Sequence, residues 1–232
     1  MTDLLAPGHL TRSTGWSLSP APLQASIEKL EADGDRNWTS YLTPFSPKSN
    51  RNAQSYIAYY LPVKSPTRHT IDQWVRPGWT DSSKPGGPAW TNELVHFVVD
   101  NCLPLLNDIV NGEDQQRMYD IVIAAGQLQQ KARSAGQQDK VIWGEGLQNS
   151  DRGFPWIIAT IAITTDIKCL LPADGERWLF MRATAKTLIN NRMDTEITLM
   201  DAKANVIALS NQLAQVIPTS SKIEKKSKPA KM

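Results

Sequence analysis

Hydrophobic and β-branched residues in the C-terminal part of the chain recur in alternating runs that predict β-strands. Four such runs are expected, near residues 155–168, 176–188, 192–200 and 205–217. Turn-prone residues separate the last three runs, at Asn190-Asn191 and at residues 201–205. Two earlier runs, rich in Tyr, Ile, Trp and Thr, predict strands over residues 54–61 and 69–75. The pattern therefore indicates six strands, the last four forming an antiparallel meander.

Between these two groups of strands, residues 90–106 (WTNELVHFVVDNCLPLL) predict one long helix. On a helical wheel its apolar side chains cover more than half of the circumference, which is typical of a mostly enclosed helix. His96 and Asp100 lie on the narrow polar stripe as an i,i+4 pair and can touch. Pro104 cannot donate to the carbonyl of residue 100, so we expect a bend at Asp100. Asp100 is either a solvent-facing residue or an enclosed carboxylate that needs partners.

The last predicted strand, NVIALSNQLAQVI, is apolar on both faces and carries Gln212 among small side chains. Small neighbours would leave room beside this amide. Gln212 is either an edge-strand amide bonded to backbone or a group that lines a site.

A helix followed by a meander predicts an α+β fold, with the helix packed on one curved sheet. Residues 1–50 are dense in Pro, Ser and Thr and predict an irregular arm with one short helix around residues 23–33. Residues 112–152 read as a polar, Gln-rich helical insertion, exposed more than core. The domain proper is expected to span residues 51–217, followed by a basic, disordered tail over residues 218–232.

Composition excludes several classes of function. Hydrophobic residues make up 41% and charged residues 21%, as in ordinary globular proteins. No run approaches a membrane span, and the N-terminus lacks a signal-peptide pattern, so we expect a cytoplasmic protein that does not associate with membranes. The net charge of +2 comes from the lysine-rich tail, and the remainder is slightly acidic, so no nucleic-acid surface is expected.

The common catalytic signatures are missing. The sequence has no G-x-S-x-G elbow, phosphate-binding loop, H-E-x-x-H motif or G-x-G-x-x-G motif. Three histidines and two cysteines without ligand spacing predict neither a metal site nor a cofactor. Carboxylate, hydroxyl and amide groups remain for any chemistry.

Several motifs, in order, resemble a known family. They are the helix TNELVHFVVDNCLPLL, then LPADGERWLF, NRMDTE and VIALSNQ, preceded by TGWSLSPAP and LEADGDRNW. Together they resemble fungal thioesterase-like proteins among the double hot-dog type II acyl-CoA thioesterases. This resemblance implies a hot-dog fold, in which a curved antiparallel sheet wraps around one long helix.

The resemblance also implies site residues. Type II members of this family use an Asp on the helix, a Thr on the following strand and a Gln on the last strand to activate the water that attacks a thioester. Asp100 matches the Asp and Gln212 the Gln. Counting back from Pro172, the Thr position falls on Ala162, and Thr164 could assist only if the backbone shifted.

The family has a complete hot-dog domain before the TGWSLSP segment, whereas here that segment begins at Thr14. The resemblance therefore implies a missing first domain, and we expect a homodimer or a separate hot-dog partner subunit. The expected substrate is an acyl-CoA or an acyl-carrier thioester.

Two other functions remain open. The first is a dehydratase, isomerase or cyclase acting on a polyketide-like intermediate in fungal secondary metabolism, with His96 and Asp100 as an acid–base pair. The second is a non-catalytic partner subunit, which Ala162 and the missing domain both favour. Fold alone does not decide among the three.

Overall fold

A computed structural model describes residues 14–44, 52–64, 67–80, 86–103, 109, 118–137 and 156–218. Seven strands form one antiparallel sheet in the order β1-β2-β3-β5-β6-β7-β4. The strands are β1 (Trp38–Leu42), β2 (Ile57–Pro62), β3 (Thr70–Pro77), β4 (Trp156–Ile167), β5 (Leu179–Ile189), β6 (Arg192–Asp201) and β7 (Val206–Pro218). The helices are α1 (Ile27–Glu31), α2 (Val95–Asp100) and α3 (Met118–Ser134), with 3-10 turns at Asn52–Tyr56 and Asn92–Leu94. The six predicted strands are confirmed, but β4 pairs with β7 rather than with β5, so only β5, β6 and β7 form a meander.

The central helix is shorter than the sequence predicts. The 3-10 turn Asn92–Leu94 leads into α2, which ends at Asp100, where the amide of Asn101 bonds to the carbonyl of Val98 at 3.2 Å. Val95, Val98 and Val99 are buried. The chain therefore leaves the helix at Asp100, where a bend was expected.

The two faces of the sheet carry separate cores. The face that packs against α2 and α3, here called the inner face, holds the larger one, which includes Ile71, Val75 and Ile197. The opposite or outer face is covered at the β1 end by α1 and the segment before it. The buried residues of this second core are Leu30, Trp38, Ala58, Tyr60, Trp178, Phe180 and Met200.

A buried ion pair ties the segment before α1 to the outer face. Arg182 on β5 donates to both oxygens of Asp72 on β3, at 2.6 and 2.7 Å, and its remaining nitrogen donates to the carbonyl of Pro20 at 2.6 Å. Bidentate geometry and a third bond satisfy the buried guanidinium. The sheet therefore holds this segment through specific bonds as well as apolar contact.

Residues 38–42 and the helix in the insertion differ from expectation. Residues 38–42 form β1, an edge strand of the sheet, although the breaker-dense region around it predicted an irregular arm. The helix α3, predicted to be exposed, buries Tyr119, Val122 and Ile123 in the inner core. Its mixed polar sequence hides this role, because only one narrow side of the helix meets the sheet. The predicted tail, residues 219–232, lies outside the described residues.

The helix α3 also seals the β1 edge. The Gln129 side chain accepts from the amide of Leu42 and donates to its carbonyl, both at 2.9 Å, and so occupies the place of a neighbouring strand. Gly126 lies so close to β1 that a Cβ there would fall 2.6 Å from the Ser40 carbonyl oxygen. This helix therefore covers an edge that would otherwise expose unpaired backbone groups. Among the described residues, no helix is long and apolar enough to cross a membrane.

Candidate active site

Three side chains from separate elements meet at the other end of the sheet, beside β4. Gln212 on β7 donates from Nε2 to Asp100 Oδ1 at 3.0 Å and to Thr160 Oγ1 at 2.7 Å. Thr160 on β4 in turn donates to Asp100 Oδ1 at 3.0 Å. The structure therefore brings the predicted Asp100 and Gln212 together, and adds Thr160.

Contacts after α2 hold Asp100 in place. The buried Tyr59 hydroxyl donates to the carbonyl of Asn101 at 2.7 Å, and the Asn101 side chain donates to the Phe97 carbonyl at 2.8 Å. The amide of Leu103 donates to Gln73 Oε1 at 3.3 Å. Hydrogen bonds from the sheet thus replace helical partners after the last turn, and they fix the point at which the carboxylate emerges.

A β-bulge decides which threonine joins the site. Register places Thr160 opposite Ala214 and Ala162 opposite Leu213, so Ile161 is an extra residue in β4. A bulge of one residue reverses which side chains face inward beyond it. Thr164 lies opposite Asn211 and therefore on the outer face, whereas Gln212 faces inward.

Thr164 is accordingly not part of the hydrogen-bonded group with Asp100 and Gln212. The threonine in that group is Thr160. Counting residues back from Pro172 assumes regular alternation, which the bulge breaks. No sequence signal marks the bulge, because isoleucines at positions 157, 161, 163 and 167 fit regular alternation. In the structure, however, the isoleucines of β4 that pack against the inner core are Ile158, Ile163 and Ile167. A spacing of five between the first two cannot occur on one face of a regular strand.

His96 does not join the group. It is exposed on α2, and the structure records no hydrogen bond between His96 and Asp100. An i,i+4 spacing permits contact but does not require it.

Cys102, two residues after Asp100, is a neutral thiol rather than a nucleophile. Burial raises the pKa of this thiol to about 12, and the nearby Asp100 carboxylate adds to the increase. Burial likewise raises the pKa of the Tyr59 hydroxyl well above its usual value. Both groups therefore stay protonated at neutral pH.

The arrangement supports chemistry on water. Both donors bond to Asp100 Oδ1, and Oδ2 makes no hydrogen bond to any described residue. Asp100 and Thr160 are exposed, so water reaches the carboxylate. A carboxylate oxygen with a free lone pair can hold a water and accept its proton. No group of metal-ligating side chains occurs in the described ranges.

An antiparallel sheet packed on a central helix, with a carboxylate, a hydroxyl and an amide meeting beside its edge strand, is the α+β arrangement of a hot-dog fold. Residues 25–216 match the family model described as the acyl-CoA thioesterase C-terminal domain. The chain belongs to this family.

Individual relatives are distant. The thioesterase-like protein TwmA of Talaromyces wortmannii is 22% identical over 244 residues, which cover 99% of this chain and 62% of TwmA. A protein of unknown function with a hot-dog fold from Alicyclobacillus acidocaldarius is 12% identical, with a TM-score of 0.43, and the match covers 90% of this chain and 60% of that one. The chain thus spans less than two thirds of the length of either relative.

A third match is a hypothetical thioesterase protein from Streptococcus pneumoniae TIGR4, solved with coenzyme A. It is 6% identical, with a TM-score of 0.33, and the match covers 67% of this chain and 84% of that one.

Proposed function

We propose that the chain is a thioesterase-like hydrolase of acyl-CoA or acyl-carrier thioesters. The observation that carries this proposal is the hydrogen-bonded group of Asp100, Thr160 and Gln212. Carboxylate, hydroxyl and amide arrive from three separate elements and converge on an exposed point. Membership of the acyl-CoA thioesterase C-terminal domain family supports the class of reaction.

In the proposed mechanism, Asp100 Oδ2 holds a water and takes its proton as the oxygen attacks the thioester carbonyl carbon. The C–O bond forms, the C–S bond breaks, and the leaving sulfur takes up the proton that Asp100 received, which gives the free thiol and restores the carboxylate. Thr160 and Gln212 donate to Oδ1, so they fix the carboxylate and leave Oδ2 for the water. The products are a carboxylic acid and a thiol, and no oxidant or metal is needed.

Two exposed carboxylates allow a controlled test. Asp194 on β6 accepts a hydrogen bond from Thr187 on the outer face, at 2.5 Å, and so resembles Asp100 in exposure and partner but lies away from the site. Thiol release from medium- and long-chain acyl-CoA is measured for the wild type, Asp100→Asn and Asp194→Asn. We expect Asp100→Asn to lower kcat by about 10²–10⁴-fold and Asp194→Asn to leave it unchanged. Equal rates in both variants would exclude Asp100 as the base.

We further propose that a second hot-dog unit, from another copy of the chain or from a separate subunit, pairs at β4. This 12-residue strand lies at the edge of the sheet, and none of the described residues pairs with its free backbone edge. Long uncovered apolar edges associate with other strands unless they are protected. Light scattering tests the homodimer: a mass of about twice 25.8 kDa is expected, and a monomer would leave only a separate subunit.

The alternative reactions, which pair His96 with Asp100, are less well supported by the positions of these side chains. A dehydratase or cyclase using a His96–Asp100 pair requires the two side chains to work together, and no hydrogen bond joins them. Substitution His96→Ala is expected to leave thiol release within about twofold of the wild type, because the mechanism above does not use this imidazole.

A further inference from the structure

A threonine hydroxyl lies buried beside Gln212 without a hydrogen-bond partner. Thr195 on β6 is only 3% exposed, and its Oγ1 bonds to no described group. A buried hydroxyl without a partner is costly and uncommon in folded proteins. Such a hydroxyl is available to donate to a nearby acceptor.

Strand register places one polar side chain directly opposite Thr195 on the inner face. Thr195 pairs with Gln212 on β7 and with Ala185 on β5. Its same-face neighbours along β6 are Met193 and Ile197. Directly paired residues place their Cβ atoms about 4.5–5.5 Å apart, within reach of a Gln side chain. Gln212 is thus the acceptor that the sheet provides.

The amide of Gln212 needs to be held in one orientation. Nε2 makes both bonds to Asp100 and Thr160, while Oε1 bonds to no described residue. The terminal torsion of Gln is broad and roughly two-fold, so the amide can turn over. The turned amide would direct Oε1 at the carboxylate and remove a donor from Asp100 and from Thr160.

We propose that Thr195 is a positioning residue that orients the Gln212 amide by donating its hydroxyl proton to Oε1. This contact requires the two side chains to rotate, since Thr195 Oγ1 makes no hydrogen bond to any described residue. Nε2 then remains on Asp100 and Thr160, and the carboxylate stays ready for water. The inference rests on the proposed hydrolysis only for its effect on rate, because the orientation of the amide is a property of the resting protein.

The substitution Thr195→Val distinguishes the proposed positioning role from a purely structural one. If Thr195 only fills space, Thr195→Val removes a hydroxyl that lacks a partner and leaves kcat unchanged, with an equal or higher Tm. If Thr195 orients Gln212, the same substitution removes a hydrogen bond and lowers kcat, with a Tm equal to or slightly below that of the wild type. The rate therefore separates the two roles.

The kinetic test uses the full chain with three variants. Thr43, 6% exposed, also has a buried hydroxyl without a partner and lies just after β1, at the opposite end of the sheet, so Thr43→Val is the matched control. We expect Thr195→Val to lower kcat about tenfold, the equivalent of one hydrogen bond, with KM unchanged. Thr195→Ser should recover most of the rate, and Thr43→Val should match the wild type. An unchanged kcat in Thr195→Val would overturn the proposal.

A second readout does not depend on activity. The side-chain amide signals of Gln212 are identified in ¹⁵N NMR spectra by their loss in Gln212→Leu. We expect Thr195→Val to shift these signals and to speed their exchange with solvent, while Thr43→Val leaves them unchanged. If the wild type releases no thiol from any thioester but the signals respond, the hydrolase proposal fails and the positioning role stands. Signals that do not respond to Thr195→Val would overturn the positioning role.

Discussion

The two edges of the sheet are treated in opposite ways. At β1, the helix α3 lies against the edge, and Gln129 bonds to both backbone groups of Leu42. At β4, none of the described residues pairs with the free backbone edge of the strand, and Ile161 is 52% exposed. Both strands carry apolar residues, so hydrophobicity does not explain the difference.

We propose that the closed edge serves stability and the open edge serves function. The closed edge is held by a buried amide and a close helix approach. The open edge carries Thr160, which bonds to Asp100 beside an exposed surface. Uncovered sheet edges tend to pair with other strands, so this edge is where we expect a second unit to bind.

Of the substitutions at the two edges, the largest effect on kcat is expected at Thr160, beside the bulge in β4. Thr160→Val should lower kcat for thiol release on the order of 10²-fold, because it removes one donor from Asp100 and one acceptor from Gln212. Thr164→Val lies on the same strand but on the outer face, and it should leave kcat unchanged. Comparable losses in the two variants would contradict the face assignment.

At the closed edge, Gly126→Val should destabilise the fold without affecting the chemistry. The added side chain meets the Ser40 carbonyl and the Thr39 side chain, and overpacking of this kind costs about 1–3 kcal/mol. Thermal unfolding should show Tm lowered by about 2–4 °C for each kcal/mol. Ala124→Val, on the exposed side of the same helix, is the control, and both variants should keep the wild-type kcat. A Gly126→Val variant with the Tm of the wild type would mean that α3 does not pack closely against β1.

At the open edge, Ile161→Lys should weaken self-association about tenfold, since a charge on an edge strand opposes pairing. Sedimentation at several protein concentrations measures the dissociation constant. Ile189→Lys introduces the same charge at a residue that is 64% exposed and lies on β5. Equal weakening by both substitutions would point to net charge rather than to the β4 edge.

The smallest effect concerns the outer-face contact near the closed edge. Glu31 on α1 accepts from Arg177 Nε at 3.2 Å and from Trp178 Nε1 at 2.9 Å, and the Arg177 hydrogen bond lowers the pKa of Glu31. A lowered pKa stabilises the fold above the ordinary carboxyl pKa and loses this contribution as pH falls through the folded-state value.

Glu31→Gln should therefore lower Tm by a few degrees at most at pH 7, as befits a half-exposed ion pair worth about 0–1 kcal/mol. The difference from the wild type should shrink as pH falls below the ordinary carboxyl pKa, and it should disappear below the lowered folded-state pKa of Glu31, where both forms are neutral. Glu28→Gln on the same helix is the control and should leave Tm unchanged at pH 7. A difference between wild type and Glu31→Gln that persists at low pH would assign the effect to packing.

Local patterns were sufficient for six of the seven strands, and the family resemblance was needed to assign two of the candidate site residues. Alternation located six strands, and Asp100 and Gln212 stood out because polar groups interrupted apolar surfaces. Thr160 was missed because one extra residue, Ile161, reverses the alternation. The strand at residues 38–42 was missed because its role depends on α3, far along the chain. His96 was singled out by its spacing alone, and spacing does not place two side chains in contact.

Periodicity and composition were enough to predict the α+β class, the order of the strands along the chain and the residue types available for chemistry. They did not predict which threonine meets Asp100, which sheet edge α3 covers, or the burial of Thr195 beside Gln212. Register, bulges and edge pairing depend on contacts between segments distant in sequence, and no local pattern records those contacts.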